Sequence, residues 1–419
     1  MTISRGVNSY KGKKFAVVSH VLPPLPSGQS VLLERLLSNA DPDSYCLISS
    51  GGKSPTEGAL PGKCHQLRHP LLIPERRIPF ASWLPPLMNT AWGIVNRASQ
   101  IANIVRRENC DLLIGCTGDL YNLAATWLAS RWTGQPFIAY ILDDYVFQWT
   151  GFRRNIAAWL EAKFIQDATK VFVLNEFVRR CYVERYGVQP VVIHNPVCMP
   201  NLDQLDSAGP GRDDDRVDIV YTGSVYHAHF DAFRNLVGVL QGFDPEKVQL
   251  HIYTSQPIDW LKDQGIISPS VIYHSHIPQE EVLKVLRQAD ILFLPLAFHS
   301  TIPEVIQSSA PFKTSEYLAI GRPILVHAPS GCFLSWYFRK YSCGAVVDCD
   351  DTQVLKEALD QLLSDATLRQ TLAANARRQA EVDFNIDMIR PAFFDLLNSA
   401  LQTRELPQSP SGRDAAEGR

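Results

Sequence analysis

The sequence predicts an α/β protein of two doubly wound domains, each built on a parallel sheet. Short apolar runs rich in Val, Ile and aromatic residues alternate with longer amphipathic segments, and the alternation restarts after a Gly/Pro/Asp-rich stretch at 202–218. Strands and helices in strict alternation form parallel sheets that helices cover on both faces. We therefore divide the chain into domains at 1–195 and 217–403, joined by a linker at 196–216.

The first domain contains six predicted strands separated by helices. Each strand is a short apolar run bounded by turn or polar residues, as expected of strands that are buried on both faces. The intervening segments, such as SVLLERLLSNA and WGIVNRASQIANIVRRE, have the spacing of amphipathic helices. The six strands are KKFAVVSHV (13–21), YCLISS (45–50), CDLLIG (110–115), PFIAYIL (136–142), KVFVLN (170–175) and QPVVIHN (189–195).

The second domain repeats this order of strands and helices without repeating the sequence. Both domains are thus Rossmann-like, and we expect them to face each other across a cleft. The last helix is expected to return to the first domain, whereas 404–419 has too few apolar residues to pack and is predicted to be disordered. The six strands of the second domain are VDIVYTGS (217–224), VQLHIYTS (248–255), SVIYHSHI (270–277), ADILFLPLA (289–297), RPILVHAP (322–329) and CGAVVDCD (343–350).

Composition limits the classes of protein to which the chain can belong. A hydrophobic fraction of 46% and a charged fraction of 20% over 419 residues are typical of a globular protein with two sizeable cores. Nine cysteines without a Cys-x-x-Cys pair argue against a disulfide framework and against a zinc site. The sequence has no recognisable signal peptide and no apolar run long enough to span a bilayer. We expect a cytoplasmic protein, at most peripheral at the inner face of a membrane.

Charge is distributed unevenly along the chain. Residues 1–195 contain 21 Lys and Arg against 14 Asp and Glu, and the remainder is acidic. A basic first half favours an anionic partner such as a phospholipid surface, although an ordinary solvated face explains it equally well. The stretch 68–98 mixes arginines with aromatic residues, which suits either a membrane-facing lip or a packed helix. Nucleic acid is not expected, because no nucleic-acid-binding signature is present.

Ligands of doubly wound sheets bind at the carboxyl ends of the strands, where loops lead into helices. Ser27 and Gly28 follow the first strand and precede a helix, so their backbone N–H groups could bind an anion. An ordinary turn is the alternative. Asp143 and Asp144 follow the strand FIAYIL, where a carboxylate could accept a proton from a hydroxyl group; the alternative is a capping or turn role. Because the two aspartates are adjacent, they should point in opposite directions.

The stretch PFKTSEYLAIGRPIL is the most informative one. It predicts a short buried helix with Thr314 or Ser315 as its cap. Lys313 beside the N-terminus of that helix would suit a diphosphate, and Glu316 would suit the hydroxyl groups of a sugar. This pair indicates a nucleotide or a nucleotide-sugar. A plain capping glutamate is the alternative.

Several motifs, taken in order, resemble those of B-type-fold (GT-B) glycosyltransferases, particularly the family-4-like retaining enzymes. IVYTGSVYHAH, VIYHSHIPQEEVLKVLRQADILFLPL and FKTSEYLAIGRPIL resemble the donor-binding domain. AYILDDY, LEAKFIQDATKVFVLNEFVRRCYVERYG and VVIHNPV resemble the end of the acceptor domain and the entry to the hinge. The resemblance covers roughly residues 14–399, and the stretch 313–325 is its most specific part.

The resemblance assigns expected roles to the residues of the donor site. It implies that Glu316 binds ribose, that Lys313 binds phosphate and that Ile277 contacts the base through its backbone. Gly223 and Ser224 would form the turn beneath the diphosphate. Thr314 and Ser315 would belong to the same donor-binding helix, and Ser27 and Gly28 to the first-domain loop that closes on the donor.

One position departs from the family pattern. The family commonly has a second glutamate eight residues before the ribose-binding one, near the transferred sugar, and Ser308 occupies that position here. Glu304 is the nearest acid, and it could substitute only if the intervening loop has a different shape. The donor sugar and the retaining stereochemistry depend on this difference.

These features predict the reaction. We expect transfer of a sugar from a nucleotide-diphosphate donor to a hydroxyl group of a glycan or lipid-linked acceptor, with retention and with neither a metal nor a cofactor. The histidine pairs HAH (227–229) and HSH (274–276) lack recognisable partner ligands, so no metal site is predicted. The alternatives are a non-catalytic nucleotide-sugar-binding partner subunit, or a nucleotide-sugar epimerase.

Overall fold

The computed structural model describes residues 13–25, 27–51, 60–69, 84–206 and 216–402. Within these ranges the chain forms two parallel sheets with helices packed on both faces of each. The predicted α/β fold of two Rossmann-like domains is confirmed. The tail at 404–419, most of the basic part of the 68–98 stretch and the centre of the linker lie outside the described residues, so the predictions made for them stay predictions.

The first sheet contains seven strands in the described residues. Their order in the sheet is β3-β2-β1-β4-β5-β6-β7, and every pair of neighbours is parallel. The strand β3 was not predicted, because it is a polar edge strand that lacks an apolar run. The strands are β1 (Phe15–Ser19), β2 (Tyr45–Ser49), β3 (Lys63–Gln66), β4 (Leu112–Cys116), β5 (Phe137–Ile141), β6 (Lys170–Val173) and β7 (Val191–Val192).

Capping side chains and left-handed glycines define the ends of helices in the first domain. Ser27 caps α1 by accepting a hydrogen bond from the Ser30 N–H, and Asn175 caps α5 in the same way. Gly187 ends α5 in the left-handed conformation. The helices are α1 (Gly28–Leu37), α2 (Leu84–Arg107), α3 (Asn122–Thr133), α4 (Gly151–Asp167) and α5 (Glu176–Tyr186).

The second sheet contains six described strands in the order β10-β9-β8-β11-β12-β13, again with parallel neighbours. The strands are β8 (Val217–Thr222), β9 (Val248–Tyr253), β10 (Val271–His274), β11 (Ile291–Pro295), β12 (Ile324–His327) and β13 (Ala345–Val347). The helices around them are α6 (Leu202–Asp206), α7 (Phe230–Leu240), α8 (Ile258–Asp263), α9 (Gln279–Gln288), α10 (Pro303–Ser308), α11 (Lys313–Ile320), α12 (Phe333–Tyr341), α13 (Thr352–Ser364) and α14 (Ala366–Gln379).

The last helix, α15 (Ile386–Gln402), packs on the first domain. A short π-helical turn at Ala380–Phe384 precedes it, and the chain then pairs with the interdomain linker through the Val197–Asn385 bridge. Phe393 and Phe394 of α15 join the apolar core beneath β1 and β6, with the Phe394 ring centroid 6.2 Å from that of Phe15. The two domains are therefore joined by two adjacent crossings of the chain.

No helix in the described ranges is long and apolar enough to cross a membrane.

Candidate active site

The carboxyl ends of the two sheets face each other and enclose a cleft of about 350 Å³. The first domain contributes the start of α1, and the second domain contributes the loops after β8, β9 and β10 together with the start of α11. Seven of the nine predicted donor-binding residues line this cleft, namely Ser27, Gly28, Gly223, Ser224, Ile277, Lys313 and Glu316. Residues more than 280 positions apart in the sequence thus meet at one site.

Lys313 lies directly beside the turn that follows β8. Gly223 has a φ of 116°, and a Cβ atom there would lie 3.1 Å from Lys313 Nζ. The ammonium group also lies 3.7 Å from the centroid of the Tyr221 ring. Desolvation lowers the pKa of Lys313 to about 7, and the charge of Glu316 only partly opposes this effect. A bound anion would therefore stabilise the protonated form of this lysine.

Glu316 is held from the opposite domain. Arg35 Nη2 donates a hydrogen bond of 2.5 Å to Glu316 Oε1, and Arg35 Nη1 donates one of 2.7 Å to the carbonyl oxygen of Pro196. The side chains of Arg35 and Glu316 are 14% and 11% exposed, so this ion pair is largely shielded from solvent. The pair fixes the position of the carboxylate that the resemblance assigns to ribose.

Thr314 and Ser315 do not line the cleft. The helix α11 begins at Lys313 with Phe312 at the N-cap position, so the expectation that Thr314 or Ser315 caps it was wrong. Both side chains point into the protein, and Ser315 Oγ accepts a hydrogen bond of 3.2 Å from Asn195 Nδ2. The same Asn195 amide donates to the Phe312 carbonyl oxygen at 2.8 Å. This cluster ties the start of α11 to the last residue of the first domain.

Gly28 packs closely against the second domain. A Cβ atom at this position would lie 2.1 Å from Cδ2 of Phe312, a distance that no real pair of atoms could keep. The absence of a side chain at Gly28 therefore allows the start of α1 to pack on the Phe312 ring.

The two adjacent aspartates have different surroundings. Asp144 is buried, accepts hydrogen bonds of 3.0 Å from the N–H groups of Val146 and Phe147, and pairs with Arg185. The Asp143 side chain is exposed, and desolvation by the protein atoms around it, together with the charge of Asp144, raises its pKa. Asp144 therefore organises the loop and Asp143 is accessible to solvent, while neither aspartate is among the residues that line the donor cleft.

Glu304 lies outside the donor cleft. It lines a neighbouring cavity of about 260 Å³ in the second domain, and Arg154 Nη2 of α4 donates a hydrogen bond of 2.9 Å to its Oε1 atom. The loop does have its own shape, since α10 occupies it, and Ser308 is buried with its hydroxyl group donating to the Glu304 carbonyl oxygen. The Glu304 carboxylate thus forms a second ionic link between the domains.

Sequence reasoning missed Arg35 at the cleft and two residues in the loop after β8. Arg35 lies seven positions after Gly28 on α1, so helical periodicity would have placed both on one face. The Tyr226 ring packs against that of His229 at a centroid distance of 4.5 Å, and desolvation together with the charge of Asp143 raises the pKa of its hydroxyl group. His229 is buried beside Lys313, whose charge adds to burial in lowering the pKa of its imidazole. No signal in the sequence identifies Tyr226 or His229.

Among the described residues, no group of three or more His, Cys, Asp or Glu side chains could hold a metal ion.

Two protein families match the sequence. Residues 54–199 match the family described as Glycosyltransferase Family 4, and residues 256–379 match the family described as Glycosyl transferases group 1. Together the two matches cover more than half of the chain. No curated protein matches it.

Solved structures share the fold at low sequence identity. A glycosyltransferase from Rickettsia africae superimposes with a TM-score of 0.65 at 15% identity over 94% of this chain and 100% of that one. Sucrose-phosphate synthase from Thermosynechococcus elongatus gives 0.65 at 16% identity over 93% and 100%. HepE from Anabaena, solved in complex with UDP and glucose, gives 0.63 at 14% identity over 92% and 100%.

The fold and the cleft define an enzyme of the GT-B glycosyltransferase class. With a family 4 match in its first half and a group 1 match in its second half, the chain is a family-4-like glycosyltransferase.

Proposed function

We propose that the enzyme transfers a sugar from a nucleotide diphosphate, bound in the interdomain cleft, to a hydroxyl group of a glycan or lipid-linked acceptor. The observation that carries this proposal is the convergence of Lys313, Gly223 and Glu316 on one cleft of about 350 Å³. The structures of HepE with UDP and with UDP-glucose support a donor of this kind.

The cleft offers an ordered set of contacts for such a donor. The backbone at Ile277 meets the base, and Glu316 accepts hydrogen bonds from the ribose hydroxyl groups. Lys313 and the turn at Gly223 and Ser224 hold the diphosphate, with the lysine supplying a full positive charge. Ser27 and Gly28 close the cleft from the side of the first domain.

The chemistry requires stabilisation of a departing diphosphate and removal of one proton. The bond from the anomeric carbon to the diphosphate oxygen breaks, and a bond from that carbon to the acceptor oxygen forms. Lys313 stabilises the negative charge on the leaving group, so that no metal ion is needed. Asp143 accepts the proton of the acceptor hydroxyl group, a role that its raised pKa suits. Retention of the anomeric configuration requires the acceptor oxygen to attack on the face from which the diphosphate leaves, and this is the geometry of our proposal.

The acceptor approaches from the first domain. Asp143 follows β5 at its carboxyl end, and Arg154 of the neighbouring helix α4 pairs with Glu304 of the second domain. In our proposal the enzyme is cytoplasmic and peripheral to a membrane that supplies the acceptor.

Thermal shift measurements with UDP, GDP, dTDP and ADP test the donor site without added metal. We expect one diphosphate to raise the melting temperature of the wild type and to lose this effect in Glu316→Ala and Lys313→Met. Glu357→Ala, which removes an exposed carboxylate on α13, is the matched control and should respond like the wild type. A wild type that none of the four stabilises at millimolar concentration would contradict the proposal.

Turnover distinguishes transfer from the alternatives. Release of nucleoside diphosphate together with a glycosylated acceptor identifies a transferase, and NMR of the new anomeric proton reports retention or inversion. An epimerase would instead yield a changed sugar nucleotide without an acceptor, and a binding subunit would yield neither.

A further inference from the structure

A second cavity of about 360 Å³ lies between α2 and α4 of the first domain. Its walls include Leu87, Ala91 and Ile94 of α2 and Phe152, Ile156 and Trp159 of α4, and we refer to it as the α2–α4 groove. The polar groups on its walls are few, and the Thr90 hydroxyl group is already bonded to the carbonyl oxygen of Pro86. A peptide, whose backbone needs hydrogen-bond partners, would be poorly served there.

Large apolar side chains are exposed around this groove. Trp159 is 63% exposed and Trp92 is 50% exposed. Of the eleven exposed large hydrophobic side chains in the described ranges, six belong to α2 and α4: Leu87, Met88, Trp92, Val95, Phe152 and Trp159. Leu87, Phe152 and Trp159 line the groove itself, whereas Met88, Trp92 and Val95 form a neighbouring stripe of α2. Such a concentration on two adjacent helices marks a binding surface, because exposed apolar residues are ordinarily scattered singly.

The groove opens at the same rim of the first domain as the active site. Both helices run antiparallel to the strands that they connect, so their first turns lie at the carboxyl edge of the sheet. The groove is built from the first three turns of each helix. On the other side of α4, Arg154 packs over the Phe147 ring at 4.3 Å and reaches Glu304.

The first turn of α4 carries Arg153 and Arg154 and no acidic residue. Cations at this end oppose the helix dipole, so the stability of the helix does not explain them. Arg154 is paired with Glu304, whereas Arg153 is exposed and makes no ion pair within the described parts of the chain. Phe147, which lies in the same loop as Asp143, packs under Arg154 in this turn. The apolar groove and Arg153 therefore share the start of α4 with a contact to the Asp143 loop.

We propose that the α2–α4 groove binds the hydrocarbon chain of a lipid-linked acceptor, with the phosphate of that lipid at Arg153 and its sugar at Asp143. The order of apolar, cationic and catalytic surfaces matches the order of hydrocarbon, phosphate and sugar in such a molecule. The inference rests on the proposed function for its reaction, but the groove can be tested without turnover.

Calorimetric titration with decyl phosphate below its aggregation concentration tests the groove. We expect the wild type to bind it, and Trp159→Ala and Phe152→Ala to weaken binding at least tenfold. Both positions are exposed, so folding should be unaffected. Trp132→Ala, which removes a tryptophan that is 43% exposed on α3, is the matched control and should bind like the wild type.

A second pair of variants tests whether Arg153 binds the phosphate group. Arg153→Gln should weaken decyl phosphate about tenfold and leave an uncharged decyl glycoside unaffected, whereas Arg179→Gln on α5 should change neither. Inorganic phosphate alone should bind far more weakly than decyl phosphate.

Three outcomes would overturn the proposal. One is no binding of decyl phosphate by the wild type, and another is equal binding by Trp159→Ala and Trp132→Ala. The third is a combination of two results. The wild type, but not Trp159→Ala, floats with neutral phosphatidylcholine liposomes, and the wild type does not bind monomeric decyl phosphate. These results together would show that the surface contacts a membrane and does not bind an acceptor lipid. Stabilisation by a nucleoside diphosphate is measured in parallel. It tests the donor site independently, so a failure of the groove proposal can be told apart from a failure of the proposed function.

Discussion

Arg35 of the first domain and Glu316 of the second form a hydrogen-bonded ion pair of 2.5 Å across the donor cleft. The carboxylate proposed to bind ribose is therefore positioned by the other domain. A carboxylate has about four acceptor sites, so the guanidinium can fix Glu316 while other sites accept from ribose. Arg35 is, in this view, a positioning residue for donor binding.

Arg35→Ala should weaken the affinity for the nucleoside diphosphate about tenfold, which corresponds to about 1.4 kcal/mol. Arg35→Lys should restore part of the loss, because a cation is present but the fork geometry is not. Calorimetric titration at constant ionic strength measures both. Arg131→Ala, which removes an exposed ion pair with Asp167, is the control. Unchanged affinity in Arg35→Ala would remove this residue from the donor site.

The pKa of about 7 for Lys313 predicts a pH dependence of donor binding. A bound diphosphate favours the protonated lysine, so binding takes up a proton wherever free Lys313 is neutral. Affinity should fall as pH rises from about 7 to 9, by up to about tenfold per unit. Lys313→Arg, charged throughout this range, should show a flat profile. An equal slope in both proteins would place the titrating group elsewhere.

The same pKa predicts how Lys313 affects stability. Between about 7 and the ordinary value of 10.5 the unfolded chain binds more protons than the folded one, so this residue makes stability rise with pH. Lys313→Met has no charge to bury and so avoids the cost of desolvating it. This variant should have a higher melting temperature than the wild type at pH 7. The difference should shrink by pH 10. Differential scanning calorimetry at both pH values measures it.

Gly28→Ala should keep the domains from closing, because the new methyl group would overlap the Phe312 ring. We expect kcat/KM to fall about 100-fold, a loss of about 2.7 kcal/mol of transition-state stabilisation. The double variant with Phe312→Ala should recover much of it. Gly238→Ala on α7 meets no atom within 4 Å and should be neutral or slightly stabilising, at about 0.5–1 kcal/mol. Full activity of Gly28→Ala would show that this contact is not needed for catalysis.

Asp143 and Asp144 should respond differently to the same substitution. Asp143→Asn should lower kcat by about 10²–10⁴-fold with little change in melting temperature, as expected of a lost general base. Asp144→Asn should instead lower the melting temperature, because it breaks the pair with Arg185, which also contacts buried Glu161. Steady-state kinetics and calorimetry on both variants separate the roles. A kcat that Asp143→Asn leaves intact would exclude it as the base.

The sequence predicted the fold through its buried strands. Strands covered on both faces must be apolar throughout, and β1, β4 and β5 therefore appear as uninterrupted runs. The edge strand β3 is mostly exposed and carries no such signal, so it was missed, whereas β7 was predicted within 189–195 but is only two residues long. Pairing with a neighbour defines β3 and the length of β7, and pairing is not encoded locally.

The donor site was predictable where one short segment holds the chemistry. Lys313 and Glu316 are three residues apart, so their proximity follows from helical geometry. The pairing of Glu316 with Arg35 spans 281 positions and depends on how the domains meet. The inward orientation of Ser315 likewise depends on Asn195 of the first domain. Such relationships are properties of tertiary structure.

The return of α15 to the first domain affects how the protein is synthesised. Phe393, Phe394 and Leu397 complete a core that includes Phe15 and Phe172, yet they are translated roughly 190 residues after the first domain ends. At ordinary translation rates the ribosome needs roughly 10–40 s to cover that distance. The nascent first domain therefore waits with an open apolar face, and a chain that stops before α15 should depend on chaperones or aggregate.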